Sequence, residues 1–341
     1  MHYTPGTEIS DRIQRVQSLM ADSTLDGLLV VHHTNLFYFS GTSQNGFLFI
    51  PRTGAPLLMV KKSYERAKEE SAISDIVPLK SMKEVTSLIR SHTGTLPVEI
   101  GLELDIIPFN TVQFYEKRLL PGILVKDAAA LFTQVRLIKS EYEIQLLKHA
   151  CGVLDQAFAA VGSFLRQGMK EIELAARFES FLRQNGYGGG CKVRAFNRDF
   201  MYGNIVSGKS GKVPSYFDGP VNGSGVTPAN NPHGAGWKRI EKNEPVYIDY
   251  TCVINGYTAD AQRVFVLGGA LPDNLVRAHQ VALTIQEKIE QALCPGAKCS
   301  DMWGIAVKIA EQENLVNHFM GFGPDRVRFV GHGVGLELDE M

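Results

Sequence analysis

The stretch over residues 245–266 limits how this chain folds more than any other, because its pattern is typical of a β-hairpin. Both arms are rich in valine, isoleucine, tyrosine, threonine and phenylalanine, residues that favour strands. Between the arms stands Asn255-Gly256, the strongest short-range hairpin signal that a sequence offers. A two-residue turn there pairs Ile254 with Tyr257 and fixes the register of both arms.

Two carboxylates share one face of this predicted hairpin. In that register Asp249 faces Gln262, and Asp260, two residues along from Gln262, becomes the diagonal neighbour of Asp249. Two negative charges on an apolar hairpin repel, and burial raises the cost unless a cation lies between them. Hard divalent metals bind carboxylate oxygens, and two-metal hydrolases hold their ions roughly 3.5–4 Å apart. From the spacing alone, a solvated face of an ordinary antiparallel sheet is an equally good interpretation.

A second motif stands near the end of the chain, where glycines bracket His332 in the stretch 331–335. The short apolar run Phe329-Val330 precedes it, so we expect a strand that ends in a glycine loop and presents an imidazole. As a phosphate-binding loop the motif is weak, because the lysine is missing and no long helical pattern follows. A lone histidine in a loop is usually not a ligand, so the motif gains weight only beside the hairpin.

Together the two motifs resemble the pita-bread metallopeptidase family, which includes Xaa-Pro aminopeptidase, prolidase, methionine aminopeptidase and the metal-free relative creatinase. That family carries an Asp-x10-Asp pair on a hairpin, and Asp260 likewise stands eleven positions after Asp249. Its Gly-His-Gly-Ile/Val-Gly histidine ligand is similar to the stretch 331–335. The resemblance implies that Asp249, Asp260 and His332 ligate two divalent metal ions. Manganese, cobalt, zinc and iron all accept such a mixture of oxygen and nitrogen ligands.

The resemblance covers nearly the whole chain. The stretch 135–144 is similar to the beginning of the family's catalytic domain, and the stretches 26–30 and 35–41 look like its creatinase-type amino-terminal domain. The resemblance therefore implies a fold of the α/β (α+β) class. A creatinase-type amino-terminal α/β domain would cover residues 1–133, and a pita-bread catalytic domain would cover residues 134–341.

A histidine upstream of the hairpin is a candidate substrate contact. Relatives place one histidine about 16 to 18 residues before the first metal aspartate, and His233 lies 16 residues before Asp249. The resemblance therefore implies that His233 contacts the substrate. Unlike those relatives, this chain inserts a loop over residues 209–231 between a Ser-Gly strand end and His233. The loop is either a lid or specificity loop, or a solvated surface excursion.

Position 339 departs from the family pattern. The family usually carries a second catalytic histidine seven residues after the ligand histidine, and here that position is Asp339. A carboxylate at neutral pH accepts hydrogen bonds and does not donate them unless its pKa is raised. The resemblance thus places Asp339 among the catalytic residues with a changed role, which bears on the preference for Xaa-Pro bonds.

Two further glutamates complete the metal site of that family, and one of them bridges both metals. They follow the glycine-histidine motif on later strands, whereas this chain stops at Met341. Glu337 and Glu340 lie too close to His332 to match them. We therefore expect a truncated product whose pita-bread domain is incomplete at its C-terminus. Three ligands alone hold metal weakly or leave open positions that water fills.

Composition bounds the class of protein. The chain has 341 residues, 44% of them hydrophobic and 21% charged, which is ordinary for two globular domains. A net charge of −1 argues against nucleic acid or a membrane surface as a partner selected by bulk charge. Five cysteines without a C-x-x-C pair are typical of reduced thiols in a cytoplasmic protein. We find no apolar signal core and no membrane-spanning apolar stretch.

Periodicity predicts the elements around the motifs. Strands alternating with helices indicate an α/β domain over about the first 133 residues. Ser140 followed by Glu143 is a capping-box pattern at the start of a long helix. The predicted strands cover 27–31, 46–50, 55–60 and 98–102, and the predicted helices cover 10–20, 63–71, 110–119, 140–166, 171–184, 275–293 and 302–315.

These observations predict a cytoplasmic metallopeptidase of the Xaa-Pro aminopeptidase or prolidase type that acts on peptides and, as is usual for relatives, forms a homodimer. A pair of divalent ions would lower the pKa of a bridging water, which attacks the scissile carbonyl. A pseudoenzyme that binds peptides or proteins is the main alternative, and it suits the absent glutamates and Asp339. A metal-free, creatinase-like amidinohydrolase is the other alternative, although the retained ligand set speaks against it.

Overall fold

The chain forms two compact units in the computed structural model, which describes residues 3–196, 202–229 and 232–340. The predicted α/β class is confirmed, because both units combine helices with sheets. The predicted division after residue 133 stays a prediction. The first unit contains residues 3–145 with the short pieces 194–196 and 340, and the second contains 146–193, 202–229 and 232–339.

A mixed sheet forms the centre of the first unit. Its strands in the described residues are β1 (Gly27–Val30), β2 (Gly46–Pro51), β3 (Leu57–Val60), β4 (Asp75–Pro78), β5 (Glu99–Leu102) and β6 (Leu124–Asp127). They lie in the order β4-β3-β2-β1-β5-β6, and β2 is antiparallel to both of its neighbours. The strands predicted at 46–50 and 55–60 are confirmed as the antiparallel pair β2 and β3, but β3 begins only after Pro56, which has no N–H to donate to a ladder.

Helices alternate with these strands along the chain. They are α1 (Gly6–Met20), α2 (His33–Ser40), α3 (Tyr64–Glu70), α4 (Val85–Thr93), α5 (Phe109–Phe114), α6 (Ala129–Leu137) and the start of α7 (Glu141–Phe164). Helix α1 begins four residues before the predicted start. The reason lies in its first turn, where the buried carboxylate of Glu8 accepts a hydrogen bond from Arg12 Nε at 2.8 Å and faces the positive end of the helix.

The predicted capping box of α7 is confirmed. The Ser140 amide donates to Glu143 Oε2 at 2.9 Å, and the Glu143 amide donates to Ser140 Oγ at 3.2 Å. Two amides that the helix itself cannot pair are therefore satisfied at its N-terminus.

A three-stranded antiparallel sheet in the described residues forms the centre of the second unit. Its strands are β7 (Gly203–Ser207), β8 (Pro245–Ile254) and β9 (Tyr257–Val266), in that order, and its further helices are α8 (Glu171–Gln184), α9 (Asp273–Ala292) and α10 (Cys299–Gln312). On β8, alternate residues such as Ile248 are fully buried and join a core with Phe158 and Phe178. Tyr247 and Asp249 consequently point to the other face of the strand.

The strand predicted at Phe329-Val330 is wrong, because this run has no regular structure. Val330 packs instead against a small apolar cluster formed by α9 and α10 around Ile285 and Ala306. A strand needs a neighbouring strand to pair with its amides and carbonyls, and none pairs with this run among the described residues.

Among the described residues, every helix is too short or too polar to cross a membrane.

Candidate functional site

The turn of the hairpin has the predicted form. Asn255 and Gly256 both have positive φ, at 50° and 87°, which is the backbone of a two-residue type I′ turn. Ile254 consequently pairs with Tyr257, and the same register continues along both arms to the ends of β8 and β9. The predicted hairpin is confirmed at the level of single residue pairs.

Replacing Gly256 with valine is expected to lower the free energy of unfolding by about 1–2 kcal/mol, because a β-branched residue is strained at positive φ. Denaturant unfolding monitored by circular dichroism measures this change. Gly162→Ala in α7 is the matched control. A Cβ at Gly162 meets open space within the described residues, so alanine there is expected to stabilise by about 0.5–1 kcal/mol. Equal stability of the Gly256 variant and the parent would contradict the assigned turn.

The register brings the two predicted carboxylates together. Asp249 pairs with Gln262, and Asp260 pairs with Thr251, so the two aspartates are diagonal neighbours. Burial and the adjacent charge of Asp260 raise the pKa of Asp249 well above its usual range. A hydrogen bond from Tyr247 Oη at 3.0 Å lowers this pKa, but its effect is smaller. Only 22% of the Asp260 side chain is exposed. The equally good alternative of a freely solvated sheet face is therefore wrong, because both carboxylates are at least partly buried.

The imidazole of His332 supplies positive charge beside this pair. Its Nε2 lies 3.4 Å from Asp260 Oδ2 and its Nδ1 lies 3.4 Å from Asp339 Oδ1. The ring also donates from Nδ1 to the Gly333 carbonyl at 3.1 Å when that nitrogen is protonated. The contact with Asp260 is the main cause that raises the pKa of His332 to about 9. At neutral pH a protonated imidazole therefore lies between two carboxylates.

The donor set is chemically suited to a divalent cation. Carboxylate oxygens and an imidazole nitrogen are ligands that manganese, cobalt, zinc and iron accept. The positive charge that the two aspartates require is supplied here by the proton on His332, and a metal would have to displace that proton to bind the ring. Over the described ranges, no three His, Cys, Asp or Glu side chains are close enough together to form a finished cluster. The residues thus fit as donors and fall short of a complete set of ligands.

His233 lies one strand away from the hairpin. The following residue, Gly234, approaches β7 so closely that a Cβ on it would lie 3.2 Å from the Gly203 carbonyl oxygen. The neighbour of Gly203 in that strand, Asn204, is the ladder partner of Asp249. His233 itself is 3% exposed, and burial lowers its pKa to about 4. Its ring is therefore neutral at physiological pH.

Sequence reasoning missed several contacts that shape this site. Tyr247 donates to Asp249, and it lies two residues earlier on the same strand face, so the strand alternation was a signal that could have found it. Ser215 and Phe217 contact His233 from the inserted loop, and no sequence pattern pointed to them. Glu171, the first residue of α8, accepts hydrogen bonds from Ser207 and Gly236, which flank that loop.

Comparison with known proteins places this chain in a family. Residues 145–341 match the model of metallopeptidase family M24, and residues 12–138 match the creatinase/prolidase N-terminal domain. The Xaa-Pro dipeptidase of Pyrococcus furiosus is 27% identical over 97% of this chain and 84% of its own length. The corresponding enzyme of Pyrococcus horikoshii is 26% identical over 97% and 83%.

Solved structures agree with this assignment. The prolidase from Pyrococcus horikoshii OT3 superposes with a TM-score of 0.78 at 25% identity, covering 97% of this chain and 84% of that one. The Xaa-Pro dipeptidase from Bacillus anthracis has a TM-score of 0.80 at 22% identity, covering 98% and 84%, and it shares the fold. The predicted resemblance is confirmed: because the catalytic match spans more than half of its residues, the chain belongs to metallopeptidase family M24.

Proposed function

We propose that the protein hydrolyses peptides at Xaa-Pro bonds, as a dipeptidase or aminopeptidase. Membership of a metallopeptidase family makes it a peptidase, and relatives over nearly its whole length are Xaa-Pro dipeptidases. The observation that carries the proposal is the diagonal pairing of Asp249 and Asp260 on the hairpin face turned away from the core, with His332 beside Asp260. The non-enzymatic binding module is not favoured, because the relatives are named as peptidases.

In this proposal Asp249, Asp260 and His332 bind the metal. Asp249 and Asp260 would hold two divalent ions, and His332 would hold one of them after losing its ring proton. When bound, such ions lower the pKa of a water molecule and polarise a carbonyl, which is the chemistry that amide hydrolysis needs. Tyr247 keeps Asp249 oriented through its 3.0 Å hydrogen bond. The metal is manganese, cobalt, zinc or iron in this proposal.

His233 and Asp339 are the proposed residues on the substrate side. The neutral ring of His233 donates one hydrogen bond to a carbonyl or carboxylate oxygen of the peptide. This hydrogen bond is stronger than one in water, because the buried ring is shielded from solvent. Asp339 accepts hydrogen bonds, and its contact with His332 suits it to hold that ring in place. A carboxylate there favours a substrate group that donates, such as an amide or an ammonium.

Three broader assignments belong to the same proposal. We assign residues 1–133 to the creatinase-like domain and 134–341 to the peptidase domain. We also propose a homodimer, which light scattering of the full chain tests directly. A cytoplasmic location is part of the proposal, and it is supported by the five cysteines, none of which forms a disulfide in the described residues.

Removing divalent metal is expected to lower kcat/KM for an Xaa-Pro dipeptide by about a hundredfold or more, because the charge that activates water is lost. The chelated full chain is reloaded with manganese, cobalt, zinc or iron in turn, and bound metal is counted by mass spectrometry. An Xaa-Ala dipeptide is the matched control substrate, and it tests the preference for Xaa-Pro bonds. The NMR titration of His332 is expected to disappear on loading, since ligation replaces the proton. Absence of both bound metal and hydrolysis with every ion would overturn the proposal.

A further inference from the structure

One buried carboxylate holds two points of the connection between β7 and β8. Glu171 Oε1 accepts from the Ser207 amide at 2.7 Å and from Ser207 Oγ at 2.9 Å, at the end of β7. Glu171 Oε2 accepts from the Gly236 amide at 3.2 Å, three residues after His233. The beginning of the loop and the segment that carries His233 are therefore held on the same residue of α8.

Inside this loop a smaller turn is closed by backbone hydrogen bonds. The Gly223 amide donates to the Val213 carbonyl at 2.9 Å, and the Gly234 amide donates to the Asn222 carbonyl at 2.8 Å. Gly223 has φ +82°, and a Cβ there would lie 2.6 Å from Val206 Cγ1, so the closure requires glycine. The turn 214–222, called the loop tip below, is thus held against β7 and beside His233.

The loop tip has an inner and an outer side. Ser215 and Phe217 point inward: Ser215 Oγ lies 3.4 Å from His233 Nδ1, and the Phe217 ring lies 4.9 Å from the imidazole at a tilt of 45°. Tyr216, between them, points outward and is 56% exposed. The loop tip therefore places two side chains on the histidine and one towards solvent.

These contacts define which nitrogen of His233 is left for a ligand. Ser215 Oγ accepts from the Phe217 amide at 3.2 Å and keeps its own hydrogen, which it can donate to Nδ1 at 3.4 Å. A ring that accepts at Nδ1 carries its proton on Nε2. In the described residues Nε2 is buried and has no partner. A buried polar group without a partner is costly, which points to a ligand acceptor that completes it.

We propose that Ser215 and Phe217 are positioning residues, which hold the His233 ring so that Nε2 donates to the peptide substrate. The inference rests on the proposed function for the identity of that ligand. It assigns a role to the inserted loop: Ser215 sets the tautomer and Phe217 sets the plane of the ring. A misplaced donor loses most of its catalytic value, since displacements near 1 Å cost up to about a hundredfold.

Kinetics of the metal-loaded full chain test the two positions. Ser215→Ala and Phe217→Leu are each expected to lower kcat/KM for an Xaa-Pro dipeptide by about tenfold. Ser215→Thr keeps the hydroxyl and is expected to recover most of the loss. Tyr216→Ala, on the outer side of the same tip, is the matched control and is expected to stay within about twofold of the parent.

A double-mutant cycle decides whether these residues act through the histidine. In a His233→Gln background, Ser215→Ala and Phe217→Leu are expected to cost no more than about twofold further, because the ring they hold is gone. A second tenfold loss in that background would show that the loop tip only stabilises the fold, and it would overturn the proposal. Circular dichroism of each variant checks that the chain remains folded.

An NMR titration of the imidazole needs no activity and separates this inference from the proposed function. Phe217→Ala is expected to raise the pKa of His233 from about 4 towards 6.5, because water then reaches the ring. Tyr216→Ala is expected to leave it unchanged. A chain that hydrolyses no peptide would defeat the proposed function while this titration still supports the contact. An unshifted His233 in Phe217→Ala would defeat the inference itself.

Discussion

Asp249→Asn is expected to remove peptidase activity, with kcat/KM falling roughly a thousandfold, and to stabilise the metal-free protein at the same time. Activity falls because a neutral amide replaces a carboxylate that the proposed metal site requires. Stability rises because Asp249 and Asp260 repel each other in a partly buried place. Removing one charge is expected to add about 1–2 kcal/mol to the free energy of unfolding near pH 8.

The pH dependence of this effect has a definite sign. The pKa of Asp249 is raised in the folded state, so between about pH 4 and neutrality Asp249 holds more of its proton in the folded chain than in the unfolded chain. The stability contributed by that proton is complete below the unfolded pKa and is lost as the pH rises through the folded pKa. The metal-free parent should therefore lose stability over this range, and Asp249→Asn should lose less.

Denaturant unfolding from pH 4 to 8, with and without divalent ion, measures both claims. Adding metal is expected to restore the stability of the parent at pH 8 and to leave Asp249→Asn unaffected. Glu287→Gln, an exposed carboxylate on α9, is the control for the loss of one charge. An Asp249→Asn protein that is less stable than the parent at every pH would mean that the two carboxylates do not oppose folding.

Glu171→Ala is expected to destabilise the chain by about 3 kcal/mol. The residue is 1% exposed and accepts from the Ser207 amide, the Ser207 hydroxyl and the Gly236 amide, so its removal takes the partner from three donors, two of them buried amides. The effect should reach His233, because the variant frees both ends of the segment that carries it. We expect the pKa of His233 to rise from about 4 as its surroundings loosen.

Glu171→Gln is the matched control for that variant. Its amide oxygen still accepts from Ser207, whereas its NH2 group cannot accept from Gly236, so we expect a loss of only about 1 kcal/mol. Denaturant midpoints and NMR titration of His233 give the two readouts. Wild-type stability of Glu171→Ala would show that other groups or water satisfy these amides.

The part of the site that was predictable from sequence depends on local rules. Asn255-Gly256 determines the turn, the turn determines the register, and the period of two then places Asp249 and Asp260 on one face. The helix at 171–184 was likewise predicted to the residue, since its amphipathic pattern is uninterrupted. Each of these follows from neighbours a few residues apart.

The rest depends on partners that are distant in the sequence. Phe329-Val330 has a strand-like composition, yet Val330 packs on a helix pair and no strand forms, because a ladder requires a second strand. The hydrogen bond between Glu171 and Gly236 joins residues 65 positions apart, and no periodic pattern in the sequence predicts it. The inward direction of Ser215 and Phe217 follows from the same long-range closure.

The alternation along β8 has a consequence for how this gene can change. Five residues separate Asp249 from Asn255, and the turn at Asn255 fixes which of them face the core. Deleting or inserting one residue there would shift the register of β8 by one position. Asp249 would then turn to the face on which Ile248 is buried, and its carboxylate would lie in the apolar core. Substitutions on the outward face leave the register of the strand unchanged. Viable length changes between aspartate and turn should therefore come in steps of two.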